Sequence, residues 1–384
     1  MRDFTNDKIK NIKPSGIRKF FDIARSVEGV ISLGVGEPDF DTPFNIRSEG
    51  IYAIEKGYTF YSSNAGLLEL REAICKFLHD YHKVSCNPDD VIVTIGASEG
   101  IDLVCRACLE KDDEVIVINP GYVSYIPCVI LANAKPVFYN LEETDNYKIK
   151  ADKLEKLITN KTKMIILNYP NNPTGAIMTR DDILSIKDVI IKHDLLLVSD
   201  EIYSELTYDT THTSFASIDE LKERTILLNG FSKAYSMTGW RLGYVCGPKD
   251  IIKQMLKIHQ YTIMCAPTIS QYAALEAISN SYDSVLNMKE EYKLRRNYCF
   301  NRLNSMGLNC YMPEGAFYIF ANIKKYGMTS EDFCLKLLND AKVVVVPGDA
   351  FGDNGEGYIR ISYAYSIEDL KNAFDRIEEF LKLM

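Results

Sequence analysis

Seven short, continuously apolar segments alternating with helical stretches constrain this 384-residue chain more than any other feature. The segments fall at 91–95, 114–118, 136–139, 164–168, 195–199, 225–229 and 243–246. Helical spacing occupies 98–109, 124–131 and 179–193 between them. Strands that are apolar throughout, rather than at alternate positions, are buried on both faces, and strand–helix–strand repetition joins parallel neighbours. The expected core is therefore an α/β fold, a mostly parallel sheet covered by helices. The helix at 179–193 opens with Thr179-Arg180-Asp181-Asp182, an N-cap followed by acids in the first turn. The ends read differently: an amphipathic stretch at 9–27, a long charged helix at 284–306, short strands at 316–321, 343–346 and 358–363, and a closing helix at 366–383. This places a large domain at 45–283 and a smaller α/β domain from 1–44 and 284–384.

Charge and composition exclude several classes. The net charge is −9 with no dense basic block, which argues against nucleic acid and anionic membrane as partners. No apolar run approaches the ~18 residues of a membrane span, and the N-terminus lacks the apolar core of a secretory signal. A cytoplasmic location is expected. The ten cysteines are scattered, and Cys105-x-x-Cys108 lies on helical spacing, which reads as small buried side chains. His79-x-x-His82 reads as a surface pair, and no metal site is expected.

The chemistry concentrates in four segments. Asn229-Gly230-Phe231-Ser232-Lys233 carries a lysine out of a buried strand through a turn, and Arg241 follows eight residues later. Such a lysine either snorkels to solvent or forms an imine beside an arginine that grips a phosphate. Asp200-Glu201-Ile202-Tyr203 ends the apolar strand at 195–199, so its acid emerges at the carboxyl edge, where open α/β sheets bind ligands. Asn168-Tyr169-Pro170-Asn171-Asn172-Pro173-Thr174-Gly175 leaves a neighbouring strand in a Pro-fixed turn. Gly96-Ala97-Ser98-Glu99-Gly100 joins a strand to a helix whose free N–H groups suit a phosphate.

Together with Gly34-Val35-Gly36-Glu37-Pro38-Asp39-Phe40, Trp240-Arg241-Leu242-Gly243 and Tyr358-Ile359-Arg360-Ile361-Ser362-Tyr363, these segments stand in an order that resembles the class I/II aminotransferases, pyridoxal-phosphate enzymes of fold type I. The resemblance runs nearly end to end. It implies that Lys233 carries the coenzyme as an imine and later shuttles a proton, and that Asp200 pairs with the pyridine nitrogen. It implies that Asn172 and Tyr203 bond the ring oxygen, and that Tyr122 stacks on the ring. Ala97, Ser98, Arg241 and the neighbouring subunit's copy of Tyr61 would hold the phosphate, with Ser232 beside the lysine. Arg360 would clamp the substrate α-carboxylate, close to Gly36. Plainer readings stand beside these: a turn role for Asn172 and Ser232, core packing for Tyr203 and Tyr122, interface packing for Tyr61, and an interdomain ion pair for Arg360.

The resemblance implies a homodimeric aminotransferase that moves an amino group between an L-amino acid and a 2-oxo acid such as 2-oxoglutarate. A C–S β-lyase of the same fold and an aspartate-preferring aminotransferase are the alternatives. A nicotinamide dehydrogenase is disfavoured, because Asp39 stands where Gly34-Val35-Gly36 would need its third glycine. Related aspartate-preferring enzymes often carry a lysine in the Gly-rich turn, where this chain has Gly96-Ala97-Ser98-Glu99. With Phe20, Phe21, Tyr61 and Tyr122 as candidate aromatic lining, aromatic or other large neutral donors are expected. The stretch 12–24, with Ile17, Phe20 and Phe21 on its apolar face, is the expected lid.

Overall fold

The fold was obtained as a computed structural model. The structure describes residues 2–10, 12, 14, 16 and 28–384. The amphipathic stretch expected at 9–27 and the lid expected at 12–24 fall mostly outside the described residues, and Ile17, Phe20 and Phe21 lie wholly outside them.

Among the described residues, twelve strands are formed: β1 Ile31–Ser32, β2 Val91–Thr94, β3 Glu114–Asn119, β4 Lys135–Asn140, β5 Thr162–Asn168, β6 Leu196–Asp200, β7 Thr225–Gly230, β8 Gly243–Cys246, β9 Tyr318–Asn322, β10 Val343–Val344, β11 Val346–Pro347 and β12 Tyr358–Ser362. All seven expected core strands join one sheet in the order β2-β8-β7-β6-β5-β3-β4. The five from β4 to β7 are parallel, and β8 runs antiparallel to both β7 and β2. Parallel neighbours need a crossover. The helix Tyr125–Leu131 connects β3 to β4, and Arg180–Lys192 connects β5 to β6. Thr179 caps the latter as expected: its side chain accepts from the Asp182 N–H, and the Asp182 carboxylate accepts in return from Thr179.

Covering both faces dries the sheet out. Met164, Ile165, Ile166 and Leu167 of β5 have no exposed surface. Where β8 begins, the backbones are nearly in contact: a methyl group on Gly243 would lie 2.6 Å from the Ala97 nitrogen. Only glycine fits there, and the start of β8 is thereby pressed against the turn 96–98.

A second, antiparallel sheet has the order β11-β12-β9. The segment at 343–346, expected as one strand, is divided between two sheets. Val343 and Val344 pair with β1, whose flanking Ile31 and Leu33 N–H groups donate to the carbonyls of Lys342 and Val344. Val346 instead pairs with Arg360. Two partner strands compete for one apolar run, and the chain changes sheet at the fully buried Val345.

The helix Tyr282–Ser305 is charged in sequence yet buries two of its arginines. Arg295 pairs with Asp39 at 2.7 Å and lies over the Phe40 ring, and Arg296 pairs with Asp209 and lies over Tyr208. The first of these contacts ties the Gly34–Phe40 segment to the helix. His82 also departs from expectation: it is buried, not superficial, with a ring nitrogen 2.6 Å from Glu205. Burial opposes the Glu205 charge, but His82, Tyr282 and Ser204 overcome it and hold the carboxyl at about 2. Among the described residues, no helix is long and apolar enough to cross a membrane.

Candidate active site

The parallel strands β5, β6 and β7 end at one edge of the sheet, and their register brings their last residues together. Asn168 pairs with Asp200, and Asp200 with Leu228. Beyond that edge lies a cavity of about 270 Å³. Its walls include Asn172 from the turn after β5, Asp200 and Tyr203 from the end of β6, and Ser232, Lys233 and Arg241 from the loop between β7 and β8. That loop holds two non-glycine residues in the left-handed region, Ser236 (φ 52) and Arg241 (φ 54), a backbone strain of the kind that gathers at functional sites.

The Lys233 Nζ donates a 2.7 Å hydrogen bond to the Gly36 carbonyl. Burial is the main influence on its ammonium and pushes it down to about 8. Glu37 and Asp200 resist the shift, while Arg360 and Arg241 reinforce it. An amine with this value is substantially neutral, and so nucleophilic, only slightly above physiological pH. Asp200 is moved the other way. Burial pushes it up to about 6 against hydrogen bonds from the Tyr125 hydroxyl (2.7 Å) and the Ile202 N–H. Asn168 holds the Asp200 carbonyl and, through its side-chain oxygen, the N–H of Asn172, so adjacent strand ends are locked side by side.

Arg360, on β12, is 2% exposed. Its Nη1 donates to the Asn172 side-chain oxygen at 3.0 Å and its Nη2 to the Gly34 carbonyl at 2.6 Å. Its Nε has no partner among the described residues, and no described carboxylate pairs with it. Its guanidinium lies between aromatic faces, 4.3 Å from the Tyr318 ring and 4.7 Å from Phe351. The Tyr318 hydroxyl meets that of Tyr203 at 2.8 Å, and a side chain on Gly36 would collide with it. Gly36 is therefore held against the cavity by both Tyr318 and Lys233.

At the other end, Gly96, Ala97 and Ser98 open the helix Gly96–Cys108 and line the cavity. A helix leaves its first N–H groups without intrahelical acceptors. Arg241 stands over this turn: a methyl group on Gly96 (φ 71) would lie 2.9 Å from the Arg241 Nη2. Tyr122 also lines the cavity, edge-on to Tyr125.

Gly36, Ala97, Ser98, Tyr122, Asn172, Asp200, Tyr203, Ser232, Lys233, Arg241 and Arg360 thus surround a single cavity. Tyr61 does not; it is 82% exposed on the outside of its own chain. Sequence reading missed Tyr125, Tyr318 and Asn168. Tyr125 had a signal, since it stands one helical turn from Tyr122. Tyr318 had none, because its role depends on β9 lying beside Arg360 in β12.

Comparisons with known proteins agree on one family. The family model described as aminotransferase class I and II matches residues 28–377. An aromatic-amino-acid aminotransferase 2 of Thermococcus litoralis is 45% identical over 381 residues, covering 98% of both chains. An aspartate aminotransferase of Pyrococcus abyssi is equally similar, 45% over 381 residues with the same coverage. The solved structure of an aromatic aminotransferase from Pyrococcus horikoshii superposes with a TM-score of 0.91 at 45% identity, over 95% of this chain and 99% of that one.

Two outcomes are expected of the ligand-free protein. Competitive acylation of Lys233 across a pH series should show a midpoint near 8, returning toward an ordinary lysine's ~10.4 in denaturant; a native midpoint near 10 would remove the argument for a neutral amine. Asp200, with its folded value raised above the unfolded ~3.9, binds more protons folded than unfolded between ~4 and ~6. Stability is therefore lost as pH rises through that window and stays lower above it. Asp200→Asn should stabilise the ligand-free protein at pH 7, by at most about 3 kcal/mol. The gain should shrink as the pH falls from 6 toward 4, and denaturant titrations at several pH values would read it.

Proposed function

The chain belongs to the class I and II aminotransferases and is an aminotransferase, and from that premise we propose that it takes aromatic and other large neutral L-amino acids as donors, with 2-oxoglutarate as an accepted 2-oxo acid. The family depends on pyridoxal phosphate. We propose that this chain holds that group in the cavity described above, and three features support the fit. Gly96 is a cradle that any side chain would fill, directly beneath Arg241. Lys233 reaches the cavity with its amine biased toward the neutral form. Asp200 is a buried carboxylate in the cavity wall, held there by Tyr125.

Bound there, pyridoxal phosphate supplies an electron sink that makes the amino-acid Cα–H acidic and accepts the amino group. This chain's own residues do the rest. Lys233 would provide the covalent anchor and afterwards the base that takes a proton from the substrate Cα and delivers it to the coenzyme's C4′. Asp200 keeps a proton on the ring nitrogen, and Tyr203 and Asn172 offer hydrogen bonds to the ring oxygen. Ala97, Ser98, Ser232 and Arg241 receive the phosphate, and Tyr122 covers the ring. Arg360 binds the α-carboxylate through its planar fork, pre-aimed by Asn172 and Gly34.

The substrate preference rests on one observation, the charge inventory of the cavity. Its basic lining residues, among those described, are Lys233, Arg241 and Arg360. Each is used by the anchor, the phosphate or the α-carboxylate, so no described cation remains for a second carboxylate. Ser98 stands in the Gly-rich turn, and the remaining wall offers Tyr122, Tyr318, Ile101 and Ile202. A charge-assisted contact is worth about 1.5–3 kcal/mol, so its absence disfavours a dicarboxylate by roughly ten- to a hundredfold, a penalty that 2-oxoglutarate shares, so it is accepted as a weakly bound partner. The relatives' names, one aromatic and one aspartate at equal identity, leave the choice to these side chains. Comparing kcat/KM for phenylalanine, methionine, alanine and aspartate, each with 2-oxoglutarate, is the test. Phenylalanine or methionine should lead, and aspartate in first place would overturn the proposal.

We also propose the family's usual homodimer, with Tyr61 serving the partner's cavity. Tyr61 is one of several large apolar side chains left exposed, with Phe44, Ile51, Ile54, Phe60 and Tyr261. Mixing inactive Lys233→Ala chains with impaired Tyr61→Phe chains should restore part of the activity in the heterodimer. Heterodimers that form and stay inactive would count against the shared site.

A further inference from the structure

Behind the phosphate turn lies an acid–histidine pair that the reading above does not use. Glu99 stands in the first turn of the helix Gly96–Cys108, and its side chain is 11% exposed. One carboxylate oxygen accepts the N–H of Ile95, the residue just before the helix, at 2.6 Å. The other lies 2.6 Å from the Nδ1 of His259, on the separate helix Lys249–Thr262. The His259 side chain is fully buried, and its Nε2 has no partner among the described residues. Glu99 is thus the ring's only described polar tether.

This arrangement is unexpected beside a phosphate. A carboxylate in the first turn competes with a bound anion for the same helix N-terminus and repels it. The geometry separates the two. Of the amides that lack an intrahelical acceptor, Glu99 takes Ile95 and leaves those of Gly96, Ala97 and Ser98, the three residues of the turn that line the cavity. The His259 ring meets the carboxylate from the side of the neighbouring helix, so the acid is bridged between the turn and that helix instead of being left against the ligand.

We propose that Glu99 and His259 are positioning residues, a buried brace between two helices that holds the turn 95–98 so that its three free amides face the coenzyme's phosphate. The proposal rests on the reading of this turn as the phosphate site. The brace touches neither the pyridine ring nor the substrate; it acts through Ile95.

The test compares the affinity of the coenzyme-depleted full chain for pyridoxal 5′-phosphate with that for pyridoxal, which has the same ring and aldehyde but no phosphate. Absorbance titration serves both. In the wild type, pyridoxal phosphate should bind far more tightly. Glu99→Ala should shrink that preference by about tenfold or more through weaker phosphate binding, with pyridoxal affinity little changed. Glu99→Gln should largely restore it, because an amide oxygen still accepts from Ile95 and its NH₂ can still meet the imidazole. His259→Asn removes only the far partner and should reduce the preference about threefold or more, which keeps the test available if Glu99→Ala does not fold. If the wild type discriminates and the variants weaken both ligands equally, or neither, the brace is wrong and the phosphate site stands. A wild type that does not discriminate would overturn the phosphate site and the brace with it.

Discussion

The site is organised by positive charge that the chain buries without neutralising. Arg360 is almost wholly enclosed, yet its described partners are a carbonyl and an amide oxygen, with aromatic faces on either side. Lys233 meets a carbonyl, and the more exposed Arg241 donates to another, that of Thr238. Neutral dipoles orient these cations without neutralising them, and at Arg360 they do not replace the hydration lost on burial, so the cavity is complementary to anions at both ends. On the reading proposed above, a phosphate at one end and a carboxylate at the other would answer that deficit. Asp200 is the one acid among the described residues of the cavity wall. Burial, reinforced by Arg360 and Arg241, lowers the Lys233 ammonium to about 8, so the cations that would meet the two anions also favour the neutral amine.

The scaffold meets this requirement through register more than through any special residue. Parallel strands deliver their carboxyl ends to the same edge, and the pairing of Asn168 with Asp200 fixes which side chains meet there. The reversal at β8 adds the phosphate end. Because β8 runs antiparallel, the β7–β8 loop carries both Lys233 and Arg241 across the cavity, and Gly243 then re-enters the sheet directly against Ala97. The lysine and the phosphate turn are thus positioned by the same stretch of chain.

This also explains what was legible in the sequence. Six of the seven core strands could be read because strands buried on both faces are apolar at nearly every position, while β4 is a largely exposed edge strand; most site motifs could be read because they sit at strand ends, whereas Arg360 stands in the middle of β12. The run at 343–346 could not be resolved, since an apolar strand carries no mark of which neighbour it will pair with. His82 was misread for a related reason: at the end of its helix it points into a pocket made by Glu205, 123 residues away. Tyr318 was missed because a tyrosine's sequence context does not distinguish a core ring from one that lies against an arginine of a neighbouring strand.

The two ends of the cavity differ in how much freedom the fold leaves them. The end proposed for the phosphate is set by backbone: helix amides, a glycine in the left-handed region beneath Arg241, and a second glycine pressed against the turn from β8. A side-chain exchange there disturbs the main chain and therefore the sheet. The substrate end is set by side chains standing on that frame, Tyr122, Ile202 and Tyr318 among them. Those can change without moving a strand, provided volume and charge are accommodated. Nearly identical folds can thus serve donors as different as an aromatic amino acid and a dicarboxylate: the anchoring machinery is tied into the core, whereas selectivity is a matter of which charges the remaining wall does or does not offer.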